Sequence, residues 1–331
     1  MTQPQNSFLK YPSLENTYQT KFIDKFTTQY HELLDKTEYI VTEKLHGANA
    51  SIILTPYKPP QLAKRTSLLN PDEYETFYNI NLIFEDPDFD ALITIAQQVV
   101  NYKQASMHFY FEWFGPRVQK GVDYGLKKQA RIFDMRENGI LQTPQHTIIT
   151  LKSYGLEHLY APILVRTLYL DKVLEFDVEN FITKLGPETI NTKSGPQPNI
   201  AEGIVIRPYH QNYYSPVGEL FALKKKSEAY KEKHREKTTI KPQKDENPEI
   251  QAINSVFLTY LTPNRIQNIF SKHGPIQEPK QIPTYIAALL QDAKEDFIKE
   301  HNPPLETFTK AEQRQIFNAG STPFTLIKPH L

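Results

Sequence analysis

Residues 42–52 read TEKLHGANASI. Lys44 stands where a run rich in β-branched and aromatic residues, EYIVTEKL, meets a His-Gly pair, and a second such run, ASIILTPY, follows at once. Two strands joined through a glycine turn are the local reading. Lys44 itself then has two readings. One is a strand-edge lysine whose stem packs while its ammonium reaches water. The other is a nucleophile aimed into a pocket, and it needs supporting residues elsewhere in the chain.

Composition narrows the field. A chain of 331 residues with 39% apolar side chains can build ordinary globular cores, in roughly two domains. Formal net charge is zero, so no global positive field marks a nucleic-acid binder, and such binding would rest on local basic patches. The absence of cysteine excludes disulfides, Cys-ligated zinc and thiol catalysis. The start, MTQPQNSFLKYPS, lacks the pattern of a signal peptide. No apolar run reaches the roughly 18 residues of a membrane span. The expectation is a soluble chain with no membrane partner, working in the cytoplasm or in a virus-infected cell.

The texture of the chain changes once. From about 38 to 226 short strand signals dominate, among them MHFYFEWFG, ARIFDMR, EGIVIRP and ELFALKKK, with one helical pattern at 88–101. KPPQLAK and SGPQPN look like loops between strands. The segment 231–249, KEKHREKTTIKPQKDENPE, is charged, polar and interrupted by proline, as a linker would be. Beyond it Ile253, Val256, Phe257, Tyr260 and Leu261 repeat with helical spacing, as do Ile286, Leu289, Leu290, Ala293 and Phe297. Helices at about 251–270 and 284–300 follow. The fold class is α+β, with a first domain over 1–237, a linker over 238–250 and a small all-α domain over 251–331.

Strand alternation sorts the charged residues by face. Lys224 and Lys226 share a face with Ala222 and Leu220, and Lys225 points the other way beside Leu223 and Phe221. Two ammonium groups on one face repel unless an anion lies between them; a solvated edge strand is the bland alternative. Glu202 is read on one face with Ile204 and Ile206, as a surface carboxylate or a ligand to a metal or ribose. Glu112 shares its face with Tyr110 and His108. Phe133 reads by default as a core aromatic.

The order of these signals is specific where each alone is weak. Lys44-x-His46-Gly47, then Glu112, Phe133, Glu202-Gly203 and Lys224-x-Lys226 resemble motifs I, III, IIIa, IV and V of the covalent nucleotidyltransferase superfamily of ATP-dependent ligases and capping enzymes. DNA ligases and capping enzymes usually carry Asp-Gly after the lysine, and His46 here is similar to the RNA ligase 2 family, which includes phage double-strand RNA ligases and trypanosome RNA-editing ligases. FLKYPSLENTY resembles its N-terminal strand, AKRTS its arginine at Arg65, VQKGVDYG the segment joining motifs III and IIIa, and YLTPNRIQNIFSKHG the start of its helical C-terminal domain. The implied fold is a nucleotidyltransferase domain of the ATP-grasp-like DNA/RNA ligase kind, antiparallel sheets with flanking helices, followed by the all-α domain.

The resemblance implies an ATP-dependent RNA ligase that seals 3′-OH/5′-phosphate breaks, nicks in duplex RNA or RNA-containing hybrids, as a monomer. Lys44 takes AMP, passes it to the RNA 5′-phosphate, and a 3′-hydroxyl displaces it. An attacking amine must be neutral, whereas free lysine titrates near about 10.4, so Lys224, Lys226 and a metal would favour the neutral form. By the same resemblance Phe133 stacks on adenine, Glu43 helps read it, Glu112 bonds the ribose, Asn49 lies at the phosphates, and Glu202 helps hold a divalent metal. Magnesium is the expected ion, with manganese as substitute, because oxygen donors and phosphates suit it. Arg65 and His46 serve the phosphates and RNA-dependent steps; for His46 a brace at the Gly47 turn is the competing reading. Arg265 and Asp292 match tail residues that engage RNA, and Asp296 stands where the family favours glutamate. The basic stretch KKKSEAYKEKHREK is either a solvated helix or a backbone contact. A DNA ligase, a guanylyltransferase or a non-catalytic RNA-binding relic are the alternatives. His46, the lack of an OB-fold β pattern after Lys226 and the helical tail stand against the first two; the complete motif set stands against the third.

Overall fold

The computed structural model describes residues 8–192, 195–232 and 247–331. The chain divides into two compact units, Met1–Ala229 and Tyr230–Leu331. The first therefore ends somewhat before residue 237. Of the linker read at 238–250, the part up to 246 lies outside the described residues, as does the end of the basic run, 233–237. Its last residues already open a helix, Pro248–Leu258, because Asn247 caps the Glu249 N–H and Pro248 fits the first turn.

The first unit holds two antiparallel-rich sheets. The strands are β1 (Glu15–Asn16), β2 (Tyr39–Lys44), β3 (Ala48–Leu54), β4 (Gln61–Lys64), β5 (Ser67–Leu68), β6 (Met107–Phe114), β7 (Gln129–Glu137), β8 (Ile140–Leu141), β9 (Ile163–Thr167), β10 (Thr189–Thr192), β11 (Gly195–Pro198), β12 (Gly203–Pro208) and β13 (Leu223–Lys226). One sheet runs β1-β13-β12-β2-β9, the other β5-β4-β3-β6-β7-β8, and β10-β11 form a separate ribbon. Only β1 on β13 is parallel within the first sheet.

Each sheet buries its outer face under a helix. Tyr39, Val41, Ile204, Ile206 and Leu223 pack against Phe22, Ile23 and Phe26 of the helix Thr20–Gln29. Ala50, Ile52, Phe109, Phe111 and Ile132 pack against Phe89, Leu92, Ala96 and Val100 of the helix Pro87–Lys103. Each such side chain contributes about 1.5–3 kcal/mol when fully buried. The inner faces meet through Tyr110 of β6, which clusters with Tyr11, Leu220 and Ala222, and through an ion pair of Asp134 on β7 with Arg207 on β12. With the outer faces supplying the apolar cores, the inner faces are left to carry polar groups.

Several local readings change. Gln61–Lys64 and Gly195–Pro198 are strands, not loops. In KPPQLAK the prolines only precede the strand, whose Leu62 is fully buried. Pro196 and Pro198 sit in a two-stranded ribbon, where a residue without an N–H is tolerated on the unpaired side. Of ELFALKKK only Leu223–Lys226 joins the main ladder; Phe221 and Glu219 instead bond back to Tyr213 and Ser215. The segment 20–29, missed as a helix, covers the first sheet.

In the second unit the helix read at 251–270 is two, Pro248–Leu258 and Pro263–His273, because Thr262 caps the Arg265 N–H and Pro263 starts a new helix. Ile282–His301, Lys310–Ile316 and Thr322–Ile327 complete the bundle around Phe257, Tyr260, Ile266, Leu289 and Phe297. Among the described residues no helix is long and apolar enough to cross a membrane.

Candidate active site

In the first sheet Gly203 of β12 lies opposite both Lys44 of β2 and Lys226 of β13. Residues directly across a ladder share a face, so two lysines flank a residue that has no side chain. A Cβ at position 203 would lie 1.9 Å from the Lys225 carbonyl oxygen, which leaves glycine as the residue that fits. Lys224 stands one row inward, across Val205 from Thr42. Lys225 points to the other face, where its Nζ donates to the carbonyls of Leu174 and Phe176 at 2.7 and 2.8 Å.

An anion does lie between the lysines. Glu202 Oε1 meets Lys44 Nζ at 2.8 Å and Lys226 Nζ at 3.0 Å, and Oε2 meets His46 Nδ1 at 3.1 Å. Ile204 and Ile206 do pack on the outer face, but Glu202 does not join them. Its alternation is broken because the strand begins at Gly203, with φ at 155°. Burial works against the Glu202 charge, yet Lys226 and Lys44, with His46, outweigh it and hold the carboxyl well below its usual range.

The turn after Lys44 carries the chain from one sheet to the other. Gly47 passes so close to β6 that a Cβ would lie 2.3 Å from the Trp113 carbonyl oxygen. Its N–H donates to Glu112 Oε1 at 3.1 Å. His46 is held at three points: its N–H donates to the Tyr124 hydroxyl at 2.9 Å, Nε2 meets the Lys120 carbonyl at 2.9 Å, and Nδ1 meets Glu202. Both ring nitrogens face oxygen acceptors, so both contacts are hydrogen bonds only when the ring carries both hydrogens. The residue braces the turn and touches the Glu202 cluster at once.

Glu112 completes the facing wall. Desolvation pushes its carboxyl up to about 7 against the pull of Lys44 and Arg65, and the Glu202 charge pushes the same way as burial. Asn49 is its direct partner across the β3–β6 ladder. Phe133 is the extra residue of a bulge, since Phe111 pairs with Ile132 while Tyr110 pairs with Asp134. It is half-buried, and its ring meets that of Tyr11 edge-on at 5.0 Å.

Comparison with known proteins places this arrangement in a family. The RNA ligase family model matches residues 37–226, and the model described as T4 RNA ligase 2 C-terminal matches residues 244–320. The chain belongs to the RNA ligase family. RNA-editing ligase 2, mitochondrial, of Trypanosoma brucei brucei is 25% identical to this RNA ligase over an alignment 333 positions long, covering 81% of this chain and 78% of that one. The trypanosome RNA-editing ligase 1, mitochondrial, is 24% identical, with 80% and 70% covered. Among solved structures, a lysine-to-methionine variant of Naegleria gruberi RNA ligase with AMP and Mn is 16% identical with a TM-score of 0.45. The match covers 67% of this chain and 57% of that structure, so the ligase spans little more than half of its length.

Not every expected residue of the ligase converges on Lys44. Glu43, buried, faces the outer side, where its carboxylate accepts from the Thr183 hydroxyl and from Lys184 N–H at 2.8 Å. Burial raises its pKa, and those two bonds partly offset the rise. Arg265 and Asp292 belong to the second unit, where Arg265 is 1% exposed and bonded to Asp292 and Asp296. Sequence reasoning also passed over Tyr11, Asp134 and Arg207. The Tyr11 hydroxyl donates to Asp134, Arg207 pairs with the same carboxylate, and all three are buried behind Phe133. A signal was present: Asp134 interrupts the apolar run of ARIFDMR, and a charge inside such a strand needs a partner.

His108, on the Glu112 face of β6, yields a prediction. It stacks on Tyr110 at 4.1 Å, its Nε2 has no hydrogen-bond partner among the described residues, and burial depresses its pKa to about 3. The unfolded chain takes up a proton near 6.5 while the folded one does not, so stability falls as pH drops below about 6.5 and continues to fall toward about 3. His108→Phe keeps the stacked ring and removes this dependence. Urea unfolding of wild type should lose about 2 kcal/mol more than His108→Phe between pH 7 and pH 5. Parallel losses in the two proteins would count against a neutral buried imidazole.

Proposed function

We propose that this RNA ligase is ATP-dependent and joins a 3′-hydroxyl to a 5′-phosphate at nicks in duplex RNA or RNA-containing hybrids, through a lysyl-AMP intermediate. The observation that carries the reading is the placement of the Lys44 amine. It sits on one carboxylate with Lys226, beside Lys224, and opposite a wall that bears Glu112 and Phe133. The amine attacks the α-phosphorus of ATP, a P–N bond forms, and the P–O bond to pyrophosphate breaks. Lys224 and Lys226 offset the charge that builds on the α-phosphate. The adenylyl group then passes to an RNA 5′-phosphate oxygen as the P–N bond breaks. Finally the 3′-hydroxyl attacks that phosphate and AMP leaves.

Phe133 offers a ring face to adenine, and Glu112 accepts from the ribose hydroxyls. Asn49 lies beside Glu112 for the phosphates, while Arg65 and His46 serve mainly the steps that involve RNA. Glu43, whose carboxylate is held by Thr183 and Lys184, helps read adenine. A hard divalent ion fits the oxygen donors present: Glu202 and Glu112 lie close enough to repel each other, and Glu202 would hold the ion. Magnesium, or manganese in its place, would supply charge neutralisation at the triphosphate there.

The test is a covalent label. The protein is incubated with α-labelled ATP or GTP and magnesium, then with a nicked RNA duplex bearing a 5′-phosphate. Label from ATP alone, passed to the RNA 5′ end and then released as AMP while the RNA is sealed, is the expected outcome. Label from GTP alone would make the chain a capping-type enzyme, and no label from either nucleotide would sink the reading.

A further inference from the structure

The segment between β6 and β7, residues 115–128, is the part of the first unit whose side chains the reaction above leaves unused. Its ends close on each other, because a Cβ at Gly115 would lie 2.6 Å from the Lys127 carbonyl oxygen. It is tied to the catalytic turn by the backbone and by one tyrosine. The Lys120 carbonyl receives His46 Nε2, and the Tyr124 hydroxyl receives the His46 N–H, both at 2.9 Å. Asp123 N–H donates to Asn199 at 3.0 Å, and its carbonyl accepts from Asn199 at 2.7 Å. A loop so fastened holds a fixed position beside Lys44 and Glu202.

What it presents is locally one-sided in charge. Residues 116–128 contain four cations, Arg117, Lys120, Lys127 and Lys128, and one acid, Asp123, in a chain whose formal net charge is zero. Lys128 is engaged, donating to the Tyr78 carbonyl at 2.6 Å and to Asn79 at 3.2 Å. Asp123 turns one carboxylate oxygen onto Gly125 N–H at 2.7 Å. Arg117, Lys120 and Lys127 are exposed, and among the described residues no acid pairs with them. Some exposed cations elsewhere find acids, as in Lys25–Glu219, Lys103–Glu137 and Arg166–Glu38, and others such as Lys21, Lys36 and Lys58 stand singly among the described residues. What distinguishes this loop is that its cations are grouped and braced beside His46. Arg117 is also held at φ 64°, a costly conformation for a side-chain-bearing residue. At the tip Leu126 is 98% exposed, beside Gly125 with φ at 89°.

We propose that this loop is the face that receives the RNA backbone next to the break, with Arg117, Lys120 and Lys127 on phosphates and Leu126 against a sugar or base. The proposal rests on the reading of the chain as a lysyl-AMP RNA ligase and names the surface by which that site holds its polynucleotide. Unpaired cations favour a polyanion, and their attachment to His46 places that polyanion at the adenylylated lysine. A solvated charge run would serve no such register; here the cations come on a braced loop together with an apolar tip.

The experiment uses the full chain carrying Lys120→Ala and Lys127→Ala together, with Leu126→Ser as a second variant. Self-adenylylation from ATP reports on folding and on the catalytic shelf, and should be unchanged in both, since neither lysine side chain touches a catalytic residue. Binding to a nicked RNA duplex is followed by fluorescence anisotropy across a salt series. The double variant should bind at least about tenfold more weakly at low salt, and its log affinity against log salt should flatten by about two, one for each lost phosphate contact. Leu126→Ser should weaken binding with the salt slope kept. RNA affinity and slope equal to wild type, with adduct formation intact, would overturn the proposal and leave the loop for another kind of partner, such as a protein. Failure of the wild-type chain to take label from ATP would instead remove the ligase reading beneath it.

Discussion

Lys44→Ala is expected to abolish the covalent AMP adduct, by on the order of 10³-fold or more, while ATP still binds. In the proposed mechanism the amine is the attacking atom, and its neighbours would not replace it. Lys226 lies in the same row but beyond Gly203, on the far side of the strand that separates it from the Lys44 backbone. Lys224 is a row further in. The fold should survive the change, because Glu202 keeps Lys226 and His46 as partners. Lys225→Ala is the matched control. Its ammonium serves two backbone carbonyls on the outer face, so it should retain the adduct within a few-fold, whereas Lys224→Ala and Lys226→Ala should lose it. Covalent label measured on gels, with ATP binding measured separately, reads all four. A Lys225→Ala protein as inactive as Lys226→Ala would mean that the two faces of β13 are not functionally distinct.

The faces were legible because alternation is a local rule. Lys224 and Lys226 fall on one side of LKKK whatever the strand pairs with, and Glu112, Tyr110 and His108 do the same in β6. The strand character of Tyr39–Lys44 and Ala48–Leu54, and hence a turn at His46-Gly47, was equally local. Glu202 was not legible in this way. Its direction depends on the break at Gly203, and that break follows from how closely the Lys225 backbone approaches. Nor could pattern show that Tyr11, Asp134 and Arg207 meet, since residues 11, 134 and 207 come from three distant segments that only the facing of the two sheets unites. Proline misled at β4, where it only precedes the strand, and at β11, where its cost depends on whether its missing N–H falls on a paired side. Glu43 takes the face opposite Lys44, as adjacency in a strand requires, and its assignment to adenine comes from the resemblance and not from the pattern of faces.

Arg265 is assigned to RNA by its match to a tail arginine of the family. Its guanidinium is 1% exposed in the free chain, which points to a second, architectural task. Nε donates to the Tyr260 carbonyl at 2.8 Å, one terminal nitrogen pairs with Asp296 at 2.8 Å, and the other pairs with Asp292, which also takes Lys272. Glu232 lies 3.7 Å away. These bonds tie the helix Pro263–His273 to Ile282–His301 and satisfy a carbonyl at the end of Pro248–Leu258. No external phosphate reaches the guanidinium unless these helices part. Arg265→Ala would leave Glu232, Asp292 and Asp296 facing one another without their shared counter-charge. Removing one partner of a buried ion cluster costs about 3–5 kcal/mol, a large share of the roughly 5–15 kcal/mol that holds a domain folded. The expected result is a second unit that melts far below the first and is cut rapidly by protease, while AMP-adduct formation, confined to the first unit, persists. Arg265→Lys should rescue little, since one ammonium cannot span the two aspartates and a carbonyl at once. Calorimetry on the full chain separates this from the direct-contact role. An Arg265→Ala protein with unchanged melting and weakened RNA binding would return Arg265 to the nucleic acid.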